Sequence, residues 1–86
     1  MNTIKVGVNG YGVIGKRVAD AVLLQPDMEL VGIADIATDW RIKSVANRLA
    51  VYASTDEARQ AMVAENLRPV GTLVDLLEQS DIIVDS

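Results

Sequence analysis

Three glycines at fixed spacing are the residues of this 86-residue chain that most clearly indicate chemistry. Gly10, Gly12 and Gly15 form a G-x-G-x-x-G pattern between a strand pattern and a helix pattern. In such a turn the first glycine permits the tight bend, the second lets the backbone approach a pyrophosphate, and the third lets the helix pack closely. Unpaired N–H groups and the dipole of the helix then stabilise the anion, so the pattern predicts dinucleotide binding.

An acidic residue at the expected distance completes this pattern. Asp35 lies 20 residues after Gly15, at the end of a second apolar run. A carboxylate in this place accepts hydrogen bonds from the hydroxyls of the adenosine ribose. The alternative interpretation of Asp35 is a helix cap or a solvated acid in a loop. We predict a cofactor site formed by Gly10, Gly12, Gly15 and Asp35.

The composition excludes several other kinds of site. The chain contains no cysteine and no histidine, so we expect no disulfide, thiol nucleophile, imidazole base or metal site. A net charge of −4 with one Trp, two Tyr and no Phe argues against nucleic-acid binding. No apolar run approaches the ~20 residues of a membrane span, and the first residues lead directly into a strand without room for a signal peptide. We therefore expect a cytoplasmic protein that contacts neither membranes nor nucleic acid.

Alternating elements position the predicted site residues. Hydrophobic periodicity predicts strands over residues 4–9, 30–34, 50–53 and 81–85, with a minor strand at 70–71. The first helix is predicted over residues 12–25, and later helices start at caps. These caps are Thr38 or Asp39, then Ser54 in a capping box with Glu57, then Thr72. Right-handed crossovers then predict an α/β fold, a doubly wound parallel sheet with strand order 3-2-1-4, which is half of a Rossmann fold.

Apolar stripes predict the buried helix faces. The first helix has its stripe at Ile14, Val18, Ala21 and Val22. The second has it at Ile42, Val45, Ala46 and Leu49, and the last at Leu73, Leu76 and Leu77.

The chain ends where a fold of this class is half complete. We interpret residues 1–86 as a truncated dinucleotide-binding domain, with the catalytic domain absent. The last strand, which contains Ile82, Ile83 and Val84, would then have an open outer edge that can pair with another chain. We therefore expect a homo-oligomer.

Two stretches of this sequence closely resemble the amino terminus of archaeal-type glyceraldehyde-3-phosphate dehydrogenase. They are the runs over residues 9–22 and 25–32. The tail, over residues 69–77 and 80–86, also resembles that family, whereas residues 36–67 match only in pattern. The Asn-Gly-Tyr-Gly-x-Ile-Gly turn is the specific part, since it is much narrower than G-x-G-x-x-G.

The resemblance implies a glycolytic enzyme that oxidises an aldehyde phosphate and passes a hydride to NAD or NADP. The family's cysteine and histidine come later in its chain than the matched part, so no catalytic residue is transferred. The cofactor role is transferred to the residues at the pyrophosphate, namely Gly10, Tyr11, Gly12, Val13 and Ile14.

Asp35 departs from the family pattern. Archaeal-type members often have a basic or small polar residue there, which accepts the 2′-phosphate of NADP. An acid would repel this phosphate, so NAD is favoured as the cofactor, although Arg41 or Lys43 could still reach a phosphate.

Two alternatives to this family stay open at the level of sequence. One is a stand-alone nucleotide-binding or regulatory module without chemistry of its own. The other is the cofactor half of a different dehydrogenase, such as aspartate-semialdehyde or homoserine dehydrogenase, or of dihydrodipicolinate reductase. The residues at positions 9–12 and 25–28 favour glyceraldehyde-3-phosphate dehydrogenase over these other enzymes.

Overall fold

The computed structural model describes residues 3–86 as strands and helices in the predicted order. The strands are β1 (Ile4–Asn9), β2 (Met28–Asp35), β3 (Val51–Ala53) and β4 (Ile82–Asp85). The helices are α1 (Val13–Leu23), α2 (Trp40–Val45), α3 (Asp56–Ala64) and α4 (Leu73–Gln79). The first two residues, which belong to the segment considered for a signal peptide, lie outside the described part.

The four strands form one parallel sheet in the order β3-β2-β1-β4. This confirms the predicted α/β fold class and the strand order 3-2-1-4. In the register of the sheet, Asn9 is paired with Ala34 on one side and with Asp85 on the other. The carboxyl ends of the strands therefore meet at one edge, where the β1–α1 turn also begins.

Both faces of the sheet are covered, as a parallel sheet requires. On one face the strand residues Val8 and Ile33 share a buried cluster with residues of α1, α2 and α3, including Ala19, Ile42 and Met62. On the other face Ala34 and Tyr52 pack with Leu76 of α4, and Ile83 of β4 joins them. The core therefore lies on both faces of the sheet.

The buried face of α1 differs from the predicted one. Its buried residues are Gly15, Ala19 and Val22, whereas Ile14 is 68% exposed. Small side chains on this face let the helix lie close to the sheet, and Ile14 lies in the first turn. The predicted apolar stripe was therefore wrong at Ile14 and at Ala21, which is also exposed.

The start of α3 also differs from the prediction. Its N-cap is Thr55, whose Oγ1 accepts from the N–H of Ala58 at 3.0 Å, so the predicted capping box of Ser54 and Glu57 was wrong. Ser54 still belongs to the sheet, because its N–H donates to the carbonyl of Asp35 at 3.0 Å. The helix can begin only after this strand pairing ends.

Asn66 ends α3 in the left-handed region, with φ of 63°. Its N–H donates to the carbonyl of Val63 at 3.0 Å, and the N–H of Leu67 donates to that of Met62 at 2.9 Å. These two bonds form a Schellman motif, in which Asn is tolerated where Gly is usual.

In place of the minor strand predicted at residues 70–71, the structure has a single bridge, between Ala53 and Thr72. Next to it, the N–H of Val70 donates to the carbonyl of Val51 at 2.8 Å. The N-cap Thr72 is confirmed, and its N–H donates to the carboxylate of Asp75 at 2.9 Å.

The buried face of α4 is narrower than predicted. Leu76 is fully buried, whereas Leu77 is 48% exposed. The predicted stripe was therefore wrong at Leu77.

The second helix begins where the sequence predicted and extends over only six residues. Asp39 is its N-cap, as the sequence allowed, and Ile42 and Val45 are buried. The other two residues of its predicted stripe, Ala46 and Leu49, follow the helix and pack against the same cluster as partly buried side chains.

Candidate functional site

Two glycines of the β1–α1 turn are required by the fold itself. Gly10 has φ of +96°, and a Cβ on it would lie 2.6 Å from the main-chain oxygen of Ser86. A Cβ on Gly15 would overlap the carbonyl oxygen of Gly10, so only glycine lets α1 start this close to the turn. The site's shape therefore depends on both residues.

Gly12 is different, because the space in front of it is open. Its φ is −81°, which any residue adopts, and the nearest atom to a Cβ built there is Nη1 of Arg41 at 3.7 Å. The fold therefore does not require glycine at this position. The missing side chain leaves room for a group that approaches the backbone.

The first turn of α1 faces this open space. Val13, Ile14 and Gly15 are its first three residues, and helix geometry leaves their N–H groups without an intrahelical acceptor. The Val13 and Ile14 side chains are each 68% exposed. By contrast, the ring of Tyr11 is buried in the main core cluster, so its main chain is the part that belongs to the turn. Such a turn favours an anion.

Asp35 connects the glycine turn to the loop after β2. Its Oδ2 accepts from the N–H of Tyr11 at 2.7 Å. Its Oδ1 accepts from the N–H groups of Ile36 at 2.7 Å and Ala37 at 2.9 Å. A carboxylate has about four acceptor positions, so there is room for a further donor such as a ribose hydroxyl. Both interpretations of Asp35, the loop acid and the ribose acceptor, are compatible with this geometry.

A groove of about 160 Å³ extends from the glycine turn along α2. Of its charged and aromatic lining, Lys16, Trp40 and Arg48 were not part of the predicted site, and Trp40 is 74% exposed. The lining residues are Tyr11, Gly12, Val13, Lys16, Trp40, Arg41, Ser44, Val45 and Arg48. The sequence signal for Trp40 was its position next to the cap Asp39 and outside the buried stripe of α2. Three cationic side chains make this groove suitable for an anionic ligand.

Arg41 lies closest to the open space at Gly12, and an acid pairs with it. Its Nη2 donates to Oδ2 of Asp39 at 3.0 Å, and its Nε to Oδ1 at 3.4 Å. This side-chain hydrogen bond lowers the pKa of Asp39 and raises the pKa of Arg41, and the charge of Asp35 contributes to the latter.

Lys43, the other residue considered for a phosphate, does not line this groove. Its Nζ lies 3.9 Å from Oε1 of Glu65. It lines a separate cleft together with Asn47 and Arg68. Of the two predicted cations, the structure therefore brings only Arg41 to the glycine turn.

A polar network at the carboxyl edge of the sheet was also missed by sequence reasoning. Nδ2 of Asn9 donates to Oδ1 of Asp85 at 2.9 Å, and Oγ of Ser54 donates to Oδ1 of Asn9 at 3.1 Å. Oγ of Ser86 donates to the carbonyl of Gly10 at 2.8 Å. Each of these residues ends or directly follows an apolar strand, which is the signal that could have identified them.

Within residues 3–86, none of the helices has both the length and the apolar character needed to cross a bilayer.

Several curated proteins similar to this chain have the same name. Glyceraldehyde-3-phosphate dehydrogenase of Hyperthermus butylicus is 46% identical over 100% of the chain and 25% of its own length. That of Archaeoglobus fulgidus is 45% identical over 99% of the chain and 25% of its own length. The enzyme of Sulfolobus acidocaldarius is 40% identical over 100% of the chain and 25% of its own length.

The chain is homologous to the amino-terminal quarter of archaeal glyceraldehyde-3-phosphate dehydrogenases. It spans about a quarter of the length of the curated relatives that it matches. No protein-family model matches it. The resemblance carried by the glycine turn is thereby confirmed over the whole chain.

Proposed function

We propose that residues 1–86 are the dinucleotide-binding part of a glyceraldehyde-3-phosphate dehydrogenase, which oxidises an aldehyde phosphate and transfers a hydride to a nicotinamide cofactor. The open space at Gly12, in front of the first turn of α1, is the observation that carries this proposal. The shared name of the homologues favours it over the other dehydrogenases and over a stand-alone module.

The residues around this space fit the cofactor. We assign the pyrophosphate to the backbone of Gly12, Val13 and Ile14, with Gly10, Tyr11 and Gly15 shaping the turn. The unpaired N–H groups there, together with the positive end of the helix dipole, stabilise its charge. We assign the adenosine ribose to the free acceptor position of Asp35. The nicotinamide part of the cofactor supplies the acceptor for the hydride.

We propose NAD rather than NADP as the cofactor. The carboxylate of Asp35, to which we assign the ribose, is held by three backbone N–H groups. Its charge repels a 2′-phosphate, and Arg41, the cation that could compensate, is paired with Asp39.

We further propose that residues 1–86 alone do not turn over substrate. They contain no thiol and no imidazole, so the nucleophile and the base of the reaction must come from other residues. The cytoplasm and a homo-oligomer remain our proposed location and assembly.

Gly12→Val tests the cofactor site. We expect it to abolish NAD binding in calorimetry while the far-ultraviolet circular dichroism stays that of a folded chain, because the new side chain enters the open space and meets no protein atom within 3.4 Å at its Cβ. Ala21→Val, at an exposed position of α1, is the matched control and should bind NAD normally. Unchanged NAD affinity in Gly12→Val would contradict the site assignment.

A further inference from the structure

Asp39 has two separate tasks at the groove. Its Oδ1 accepts from the N–H of Arg41 at 3.1 Å, which caps α2. Its Oδ2, together with Oδ1 at 3.4 Å from Nε, forms the ion pair with the guanidinium of the same residue. The first task needs only an acceptor oxygen, which Asn and Ser supply as N-caps equally well, whereas the second needs the negative charge.

The ion pair controls the cation that lies closest to the glycine turn. Lys16 also lines the groove, but its Nζ pairs with Oδ2 of Asp20 at 3.1 Å. For Arg48, which lines the groove as well, no ion pair occurs within residues 3–86. A phosphate that approaches Gly12 therefore meets Arg41 already bound to a carboxylate.

We propose that Asp39 is a specificity-determining residue, whose charge compensates the Arg41 guanidinium and opposes a 2′-phosphate, and which so favours ligands whose ribose carries free hydroxyls. This inference rests on the proposed cofactor site. Asp39 engages Nε and Nη2 of Arg41, whereas Nη1, the atom nearest to a Cβ built on Gly12, keeps its N–H donors. A phosphate monoester at Nη1 therefore binds a cation whose charge Asp39 already compensates, and the nearby carboxylate repels it. Both side chains of the pair are about 40% exposed or more, and exposed pairs are weak. The effect is therefore a preference between ligands, which can be reversed by one substitution.

Asp39→Asn separates the two tasks. In calorimetry, we expect it to tighten the binding of adenosine 2′,5′-bisphosphate by about three- to fivefold. The affinity for adenosine 5′-monophosphate should stay unchanged, because this probe has no 2′-phosphate. The gain should shrink as salt is raised, since exposed charges are screened.

Two further variants serve as controls. Asp27→Asn removes the same charge from the turn before β2, at the opposite end of the sheet, and should leave both affinities unchanged. Arg41→Gln combined with Asp39→Asn should cancel the gain, because the released cation is no longer present. Asp39→Ser, which also keeps the cap, repeats the test if the Asn variant folds poorly.

Other results of these measurements distinguish an error in the role of Asp39 from an error in the cofactor site. An equal change for both probes in Asp39→Asn, or no change for the bisphosphate, would overturn the role of Asp39 and leave the cofactor site intact. Failure of the unmutated chain to bind adenosine 5′-monophosphate, NAD and NADP would instead contradict the cofactor site, and this inference with it.

Discussion

At the scale of single residues, acidic side chains of the candidate site accept hydrogen bonds from backbone N–H groups and also pair with cations. Asp35 accepts from three N–H groups that belong to two different loops. Asp35 is thus a shared hydrogen-bond acceptor, to which both the glycine turn and the loop after β2 donate. In the proposed cofactor site, the same carboxylate presents a negative charge to the ribose. On that proposal, stability and cofactor preference are coupled at this residue.

We expect Asp35→Ser to change both properties. The free energy of unfolding should fall by about 1–3 kcal/mol, because partly buried N–H groups lose their acceptor. The preference for NAD over NADP should narrow or reverse, because the repulsive charge is gone. Urea denaturation and calorimetry with both cofactors measure the two effects.

Asp20→Ser is the control for this substitution, since Asp20 is exposed and pairs only with Lys16. Its stability should stay within about 0.5 kcal/mol of the unmutated chain. Tighter binding of NADP than of NAD by the unmutated chain would show that the proposed cofactor preference is wrong.

At the scale of elements, α3 begins where the strand pairing of the preceding residues ends. Ser54 still donates to the sheet, so α3 takes Thr55 as its cap. The first turn of α3 carries Asp56 and Glu57, which complement the helix dipole. The boundary between β3 and α3 is thus set by competition for backbone hydrogen bonds.

Thr55→Ala should lower the free energy of unfolding by about 1 kcal/mol, because the N–H of Ala58 loses its acceptor. Thr55→Ser keeps the hydroxyl and should restore most of this stability. Urea denaturation followed by circular dichroism is the measurement. If Ser54→Ala lowers the free energy of unfolding and Thr55→Ala does not, Ser54 rather than Thr55 is the N-cap.

At the scale of the whole molecule, β4 has an outer edge without a partner strand within residues 3–86. The acids beside it are engaged on the β1 side. Oδ2 of Asp81 accepts from the N–H of Lys5 at 2.8 Å, and Asp85 accepts from Asn9. They therefore oppose edge pairing less than their charges suggest. Unpaired backbone groups on such an edge promote pairing with another chain.

We expect the chain to self-associate through β4 and Ile82→Lys to shift it toward the monomer. Ile82 is 48% exposed, whereas Ile83 packs against the Leu76 cluster and would be a destabilising site for a charge. Light scattering over a range of concentrations measures the association. Leu24→Lys, at a residue that is 82% exposed and lies at the end of α1, controls for added charge.

A monomer at high concentration, with rapid hydrogen exchange at the amides of β4, would rule out this mode of association.

The sequence alone was sufficient for the sheet and for the position of the glycine turn. Strand periodicity, glycine spacing and caps predicted the order β3-β2-β1-β4, because right-handed crossovers leave few arrangements of parallel strands. The same rules placed the glycine turn at the carboxyl edge of the sheet. These features depend on local patterns and on chain direction, which can be read along the sequence.

Contacts between residues distant in sequence decided which side chains are buried and which line the groove. Arg41 and Lys43 are two positions apart on one short helix, yet they line different clefts, because successive side chains of a helix point in different directions. Likewise, the engagement of Asp35 with Tyr11 and the burial of Gly15 in place of Ile14 follow from how closely α1 lies against the sheet. Such choices depend on three-dimensional distance, which hydrophobic periodicity does not contain.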